Sequence, residues 1–188
     1  VDRVELCASP AEGGVTPSLA TIERVAEIDS LDLSVMIRPR GGDFLYSDDE
    51  FETMLLDIER ARTAGATGVV FGILTADGRV DVERTRRLVE AAKGMETTFH
   101  RAVDMANDYE QAVEDIIAAG CKRILTSGSY DKAIDGISNI AKAVEISRGR
   151  IEIMAGSGVV AANAKALADV GVDALHFSAK RMVAGGME

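Results

Sequence analysis

The sequence predicts an α/β fold of the TIM (β/α)8-barrel type with seven strands. Two observations predict it: short apolar runs start 24 to 34 residues apart, and most of them end in polar residues. Runs at that spacing, separated by helical segments, favour strand–helix units and a parallel sheet. Polar residues at nearly every strand tip are typical of the active face of a barrel. An open doubly wound sheet, the alternative, gathers its site at one switch point.

Seven apolar runs are the predicted strands. They cover residues 3–8, 34–38, 68–74, 97–101, 123–127, 150–155 and 174–178. A full barrel needs about 250 residues, and this chain has 188. We therefore expect one domain over residues 1–188, an incomplete barrel that lacks the first strand–helix unit and the last helix. Its two open strand edges favour a homo-oligomer.

Sequence signals for the starts and ends of helices lie between the predicted strands. Ser47 and Glu50 have the spacing of a capping box. Thr16 before Pro17 is typical of an N-cap followed by proline at the first helical position. Further N-caps are expected at Asp81 and at Asn107 or Asp108. Glycines that end helices are expected at positions 65, 94, 120, 149 and 171.

Composition excludes several classes of function. The net charge is −10 and aromatic residues make up 4% of the chain, which disfavours nucleic acid as a partner. The longest apolar run, residues 68–74, is too short to cross a membrane. Two cysteines do not make a disulfide framework, so we expect a reducing, cytoplasmic location.

The first candidate site is an arginine loop after the second run. Arg38 and Arg40 flank Pro39 and precede two glycines and Asp43. Guanidinium groups bind carboxylate or phosphate in bidentate fashion, so the loop predicts an anion site. The structural alternative is an ion pair between Arg40 and Asp43 that locks the loop.

The second candidate site follows the fourth run. His100 is suited to general acid or base catalysis, Asp104 to orienting it, and Arg101 to binding an anion. The alternative is a hydrogen-bonded histidine beside a structural Arg–Asp pair. The next run ends in Thr126 and Ser127, whose hydroxyls suit either a ligand or a turn.

A glycine-rich loop forms the third candidate site. Gly156, Ser157 and Gly158 lead from a strand into a helix, and their N–H groups are suited to holding an anion. In barrels a phosphate site often lies after the last two strands, so Ser178 is expected to complete it. A tight turn that needs small residues is the alternative.

Cys7, at the tip of the first run, is a candidate metal ligand or nucleophile, or simply a small buried side chain. Glu5, inside the same run, needs a partner if it points into the barrel. Together these residues predict an enzyme for a small phosphorylated or carboxylated metabolite. Arg38, Arg40 and the glycine-rich loop would bind the anion, and His100 with Asp104 would move a proton.

The chain also resembles the CutC family, which is named for copper homeostasis. The resemblance lies in residues 2–7, 12–18, 36–43, 46–48, 69–74, 98–101, 104, 125–128 and 154–158. It implies a cytosolic TIM barrel, usually a homo-oligomer, that binds copper(I) at the barrel mouth. Cys7 is the one cysteine that matches a suspected copper ligand, and His176 is a further candidate. Copper(I) prefers thiolate, thioether and imidazole ligands, whereas arginines at the mouth repel a cation, so both functions stay open.

Overall fold

Seven parallel strands form a curled half-barrel with helices on its outer side. The computed structural model describes residues 3–28, 31–178 and 186. The strands are hydrogen-bonded in the order of the sequence, from β1 to β7. A doubly wound sheet reverses its order at the switch point. The consecutive order therefore confirms the barrel-type prediction and excludes the alternative.

All seven predicted runs form strands. The strands are β1 Arg3–Leu6, β2 Asp32–Met36, β3 Gly68–Phe71, β4 Glu96–Phe99, β5 Arg123–Thr126, β6 Glu152–Gly156 and β7 Ala174–His176. Most strands end before the predicted runs do, because the polar residues at the ends of the runs lie in loops. The five inner strands are buried almost throughout, whereas β1 and β7 are half-buried.

Six helices and two short 3-10 helices connect the strands. The helices are α1 Leu19–Ala26, α2 Asp48–Thr63, α3 Val82–Ala91, α4 Tyr109–Ala119, α5 Ile137–Ser147 and α6 Ala161–Asp169. The 3-10 helices are Pro10–Glu12 and Arg101–Met105. No helix within the described ranges is long and apolar enough to cross a membrane.

Side-chain caps define where α1 to α4 begin. The Ser47–Glu50 capping box is present, and Asp81 and Asp108 cap α3 and α4, as predicted. The prediction for Thr16 is wrong, because Ser18 caps α1. The hydroxyl of Thr16 instead accepts a hydrogen bond from the Arg38 N–H at 2.9 Å, which ties this loop to the end of β2.

The two faces of the sheet have different neighbours. Side chains such as Val35, Val69 and Ile124 face the helices and form the main apolar core. The alternate positions face the interior of the half-barrel, where Met36 and Leu125 lie. Interior residues near the carboxyl ends of the strands therefore meet at one mouth, as in other barrels.

Candidate functional site

A cavity of about 710 Å³ opens at the carboxyl ends of the strands. We call it the mouth cavity. It contains seven of the predicted site residues: Arg38, His100, Arg101, Ser157, Gly158, His176 and Ser178. Side chains that sequence reasoning did not place there complete the wall, among them Glu5, Met36, Phe44 and Leu125.

Arg38 is a buried cation in the wall of the mouth cavity, with 5% of its surface exposed. Its guanidinium donates to the carbonyl oxygens of Glu12, Gly14 and Gly42 at 2.9, 3.0 and 2.8 Å. It also lies over the Phe44 ring, with Cζ 4.9 Å from the centroid. These contacts fix the side chain and hold three loop positions together.

The charge of Arg38 is not neutralised by these contacts. Among residues 3–28 and 31–178, no carboxylate lies within ion-pair distance of its guanidinium. Its Nε is buried and has no hydrogen-bond partner in this part of the chain. Burying an unpaired charge costs free energy that a bound anion would recover.

Arg40 and Asp43 do not contribute to the wall of the mouth cavity. The guanidinium of Arg40 binds the carboxylates of Glu50 and Asp43 at 2.6 and 3.0 Å. It also donates to the Leu45 carbonyl oxygen at 2.8 Å. The geometry therefore matches the structural alternative, in which Arg40 pairs with Asp43 and locks the loop. Arg40 also pairs with Glu50, which belongs to the capping box of α2.

Asp104 is buried at the tip of β5 and does not contact His100 through a hydrogen bond. Its carboxylate accepts from the Thr126 hydroxyl at 2.6 Å and from the Ser127 N–H and hydroxyl at 3.0 and 2.9 Å. The prediction that Asp104 orients His100 is therefore wrong. The 3-10 helix turns Asp104 away from His100 and toward the loop that follows β5.

Arg101 joins this network and also reaches the mouth cavity. Its Nε lies 2.9 Å from the Asp104 carboxylate, and its Nη2 donates to the Ser127 hydroxyl at 2.8 Å. This is the Arg–Asp pair of the structural alternative. The side chain remains 42% exposed, so solvent reaches it. Ser127 itself is buried and serves the network.

His100 is buried in the wall with 4% of its surface exposed. Its Nδ1 accepts a hydrogen bond from the Ala102 N–H at 3.2 Å, and its Nε2 has no partner among the described residues. Burial and the nearby Arg38 guanidinium lower the pKa of His100 to about 3. The imidazole is thus neutral at physiological pH, with its proton on Nε2.

Gly72 makes room for the His100 ring. A Cβ at this position would lie 2.5 Å from Nδ1 and 2.6 Å from Cε1 of His100. No side chain larger than hydrogen fits without displacing the imidazole.

The glycine-rich loop lies beside the mouth cavity at the end of β6. Ser157 and Gly158 have φ values of 81° and 65°, so the chain turns sharply there. The Ser157 hydroxyl donates to the Asp131 carbonyl oxygen at 2.6 Å and is not free for a ligand. The N–H groups of Gly158 and Val159 have no acceptor in the described part of the chain. Gly156 belongs to β6 and lies under the loop.

Glu5 is the residue that sequence reasoning left unassigned. It lines the mouth cavity from β1, and burial raises the pKa of its carboxyl, an effect that nearby His176 opposes. No donor among the described residues binds its carboxylate. The signal was present in the sequence as an acidic residue in the middle of a predicted strand.

The two cysteines lie at opposite ends of the sheet, because Cys7 follows β1 and Cys121 precedes β5. The Sγ of Cys7 and the Cε of Met36 lie 3.3 and 3.5 Å from the point where a Cβ on Gly14 would sit. The side chains of Cys7 and Met36 therefore both lie beside Gly14. Burial and the neighbouring Glu5 raise the pKa of Cys7.

Metal-binding clusters of His, Cys, Asp and Glu are absent from the described ranges. No group of three or more His, Cys, Asp or Glu side chains there is arranged to hold a metal ion. Of the ligand types that copper(I) prefers, a thiol and a thioether are present beside Gly14, in Cys7 and Met36. His176 lines the mouth cavity but takes part in no such cluster.

Comparison with known proteins agrees with the fold. The model of the CutC family matches residues 1–181. The family protein CutC of Glaesserella parasuis serovar 5 is 49% identical over 181 residues, which span 96% of this chain and 74% of the relative.

Solved structures give the same assignment. A CutC protein of Streptococcus agalactiae, named for copper homeostasis, superposes with a TM-score of 0.88 at 38% identity, over 94% of this chain and 88% of that one. Deoxyribose phosphate aldolase from Aeropyrum pernix superposes with a TM-score of 0.66 at 17% identity, over 84% and 68% of the two chains, a likeness of fold alone. The chain belongs to the CutC family.

Proposed function

We propose that this protein is an enzyme that binds a small phosphorylated or carboxylated metabolite in the mouth cavity. The observation that carries the proposal is the buried guanidinium of Arg38, which faces the cavity and has no carboxylate partner among the described residues. Carbonyl oxygens orient this cation but leave its unit charge in place. A ligand anion would neutralise it.

Three further groups support an anion at this position. The N–H groups of Gly158 and Val159 have no acceptor in the described part of the chain. They lie just before α6, where the positive end of the helix dipole favours negative charge. Arg101 lines the same cavity and is partly exposed. The protein as a whole carries a charge of −10, and Glu5 and Glu12 also line the cavity, so the proposal depends on the unpaired Arg38 and these N–H groups and not on net charge.

Calorimetric titration with inorganic phosphate and with malonate tests the proposal. The matched variants are Arg38→Gln and Arg40→Gln, which remove the same charge from two positions in one loop. We expect Arg38→Gln to weaken binding by at least about tenfold, as loss of a charged hydrogen-bond partner does. Arg40→Gln should stay within about twofold, since its guanidinium is already paired.

A second measurement keeps the test valid if Arg38→Gln does not fold. Thermal unfolding of the unmodified protein is followed with phosphate and with chloride at equal ionic strength. A bound anion raises the melting temperature by mass action. A melting temperature that responds equally to both salts, or no binding of either probe, would refute the proposal.

Copper(I) binding is the second candidate function, and the approach of Cys7 and Met36 around Gly14 favours it. Thiolate and thioether are the ligands that copper(I) prefers. The name given to the Streptococcus agalactiae relative points the same way. Because the thiol must lose its proton to bind, its raised pKa opposes binding at low pH.

Chelator competition measures this candidate directly. Cys7→Ser should lose copper(I) affinity, whereas Cys121→Ser, at the other end of the sheet, should keep it. Equal affinity in the two variants would exclude Cys7 as the ligand. The cytoplasmic location and the homo-oligomer implied by the family are further proposals, to be tested by fractionation and light scattering.

A further inference from the structure

Two side chains of the mouth cavity, Glu5 and His100, have complementary proton chemistry. His100 presents a neutral imidazole whose Nδ1 is already occupied by the Ala102 N–H at 3.2 Å. Its remaining polar group is an Nε2–H donor with no acceptor among the described residues. A donor of this kind is not a proton acceptor at neutral pH, and it suits a ligand oxygen on which negative charge develops.

Glu5 supplies the titratable group that His100 does not. Its carboxylate lines the cavity from β1, and no hydrogen bond or ion pair within the described ranges stabilises it. A carboxylate withdrawn from water is a stronger base than an exposed one. Burial raises the pKa of Glu5 in agreement with this geometry. A neutral donor and a desolvated base in one cavity are typical of sites that move a proton next to a carbonyl group.

We propose that the metabolite is a small phosphorylated ketone or aldehyde, that Glu5 removes a proton from the carbon beside its carbonyl group, and that the Nε2–H of His100 donates to the carbonyl oxygen. The inference rests on the anion site proposed above, which would hold the phosphate. The sequence alone predicted proton transfer by His100 with help from Asp104. In this inference Glu5 moves the proton, and His100 donates a hydrogen bond to the carbonyl oxygen.

The proton transfer balances without a further reactant. The C–H bond breaks and its proton goes to the Glu5 carboxylate. The electron pair of that bond forms a carbon–carbon double bond, and the carbonyl π electrons move to the oxygen. His100 keeps its proton and stabilises the oxygen by a hydrogen bond. Return of a proton from Glu5 restores a carbonyl compound, and in D2O it delivers deuterium.

Access to His100 requires a small rearrangement of side chains. Its Nε2 is covered in the present conformation, and the half-buried Phe44 ring lies 5.0 Å from the imidazole, centroid to centroid. Side-chain rotamers commonly change when a partner binds, with little movement of the backbone. We expect a rotation of the neighbouring Phe44 ring to give the ligand access to the donor.

Deuterium exchange tests the inference with dihydroxyacetone phosphate as the probe. Proton NMR follows the loss of its carbon-bound hydrogens in D2O. We expect the protein to accelerate exchange and Glu5→Gln to slow it by about 100-fold or more. His100→Gln should slow it by about 10- to 100-fold. Glu23→Gln, an exposed change on α1, is the matched control and should leave the rate unchanged.

The outcomes separate this inference from the proposed function. If the probe binds in the calorimeter but no hydrogen exchanges, this inference is wrong and the anion site stands. If the probe does not bind but inorganic phosphate does, this inference is wrong and the anion site stands; if neither binds, both fail. Exchange that persists in Glu5→Gln overturns the assignment of Glu5. If Glu5→Gln does not fold, Glu5→Asp must slow exchange in a folded protein. Nitrogen NMR showing a cationic His100 near neutral pH overturns its role as donor.

Discussion

Arg38 and Arg123 are both buried arginines of the half-barrel, and they differ in how their charge is met. Arg123 begins β5, is 2% exposed, and pairs with the carboxylates of Glu152 and Glu96. Arg38, after β2, is 5% exposed, and the hydrogen bonds of its guanidinium within the described ranges go to carbonyl oxygens only. One arginine is neutralised by the protein, and the other leaves a charge for something else to neutralise.

The position of each arginine explains the difference. Arg123 lies two residues before Leu125 on the same strand, toward the amino ends, while Leu125 lines the mouth cavity. In barrels the amino-terminal face contributes stability and the carboxyl-terminal face carries the site. A closed ion-pair cluster fits the first role, and an open cation fits the second. The following predictions test this contrast, beginning with the largest expected effect.

Removing the counter-ions of Arg123 should destabilise the protein most. In the double variant Glu96→Gln/Glu152→Gln, the buried guanidinium loses both carboxylates and is left uncompensated. The expected loss in free energy of unfolding is about 3–5 kcal/mol, measured by urea denaturation. Arg38→Gln should cost less, about 1–3 kcal/mol, since it removes hydrogen bonds and an unpaired charge together. The reverse order would contradict the contrast.

Filling the space at Gly72 should disturb the mouth end selectively. In Gly72→Ala the new methyl would lie 2.5 Å from Nδ1 of His100. Overpacking of this kind costs about 1–3 kcal/mol. We expect lower stability and weaker phosphate binding. Gly94→Ala is the comparison, since no atom lies within 4 Å of the point where its methyl would sit, although its φ of 93° adds strain. If phosphate affinity is unchanged in Gly72→Ala, His100 does not shape the site.

The stability of the mouth end should depend on pH through His100. Burial and Arg38 lower the pKa of His100 from 6.5 to about 3. Between these values the unfolded chain binds the proton and the folded protein does not, so unfolding is favoured as pH falls. The contribution is complete above pH 6.5 and decreases by up to about 1.4 kcal/mol per pH unit below it.

Urea titrations at about pH 7.5 and about pH 5 measure this slope. The carboxylates titrate in both the unmodified protein and His100→Gln. The difference between their two pH slopes in free energy of unfolding is therefore the contribution of His100. An equal slope in the two proteins would mean that His100 is protonated in the folded state.

The two thiols should differ in reactivity, and this is the smallest effect. Burial raises the pKa of Cys121 to about 12, whereas Cys7 is half-buried at the mouth. Alkylation near pH 8 should therefore modify Cys7 first, because the thiolate is the reactive form. Mass spectrometry of the digested protein identifies the site. Modification of Cys121 first would contradict the predicted accessibility of the mouth.

The sequence was sufficient to predict the strands and seven of the seventeen residues that line the mouth cavity. Arg38, His100, Ser157 and His176 lie at or near the ends of apolar runs, which placed them at one face, because the carboxyl ends of parallel strands meet there. The same argument could not show that Arg38 lines the mouth cavity whereas Arg40 does not. Beyond the last paired residue of β2 the alternation of faces no longer holds, and the fold of the loop decides which arginine turns inward.

Asp104 and Glu5 show two further reasons for failure. Asp104 is four residues after His100, which made a contact plausible, but the intervening 3-10 helix directs it to the loop after β5. That outcome depends on residues 22 to 25 positions away. The sequence showed Glu5 as an acidic residue within a strand. Which face of the sheet its side chain occupies followed only from the pairing of Glu5 with Ser34 on β2.

A crystal structure of the protein with tungstate, a heavy analogue of phosphate, tests the central claim most directly. We predict anomalous density in the mouth cavity within hydrogen-bond distance of Arg38 and of the N–H groups of Gly158 and Val159. Tungstate bound at Arg40 or Arg123 instead, with only water beside Arg38, would contradict the account.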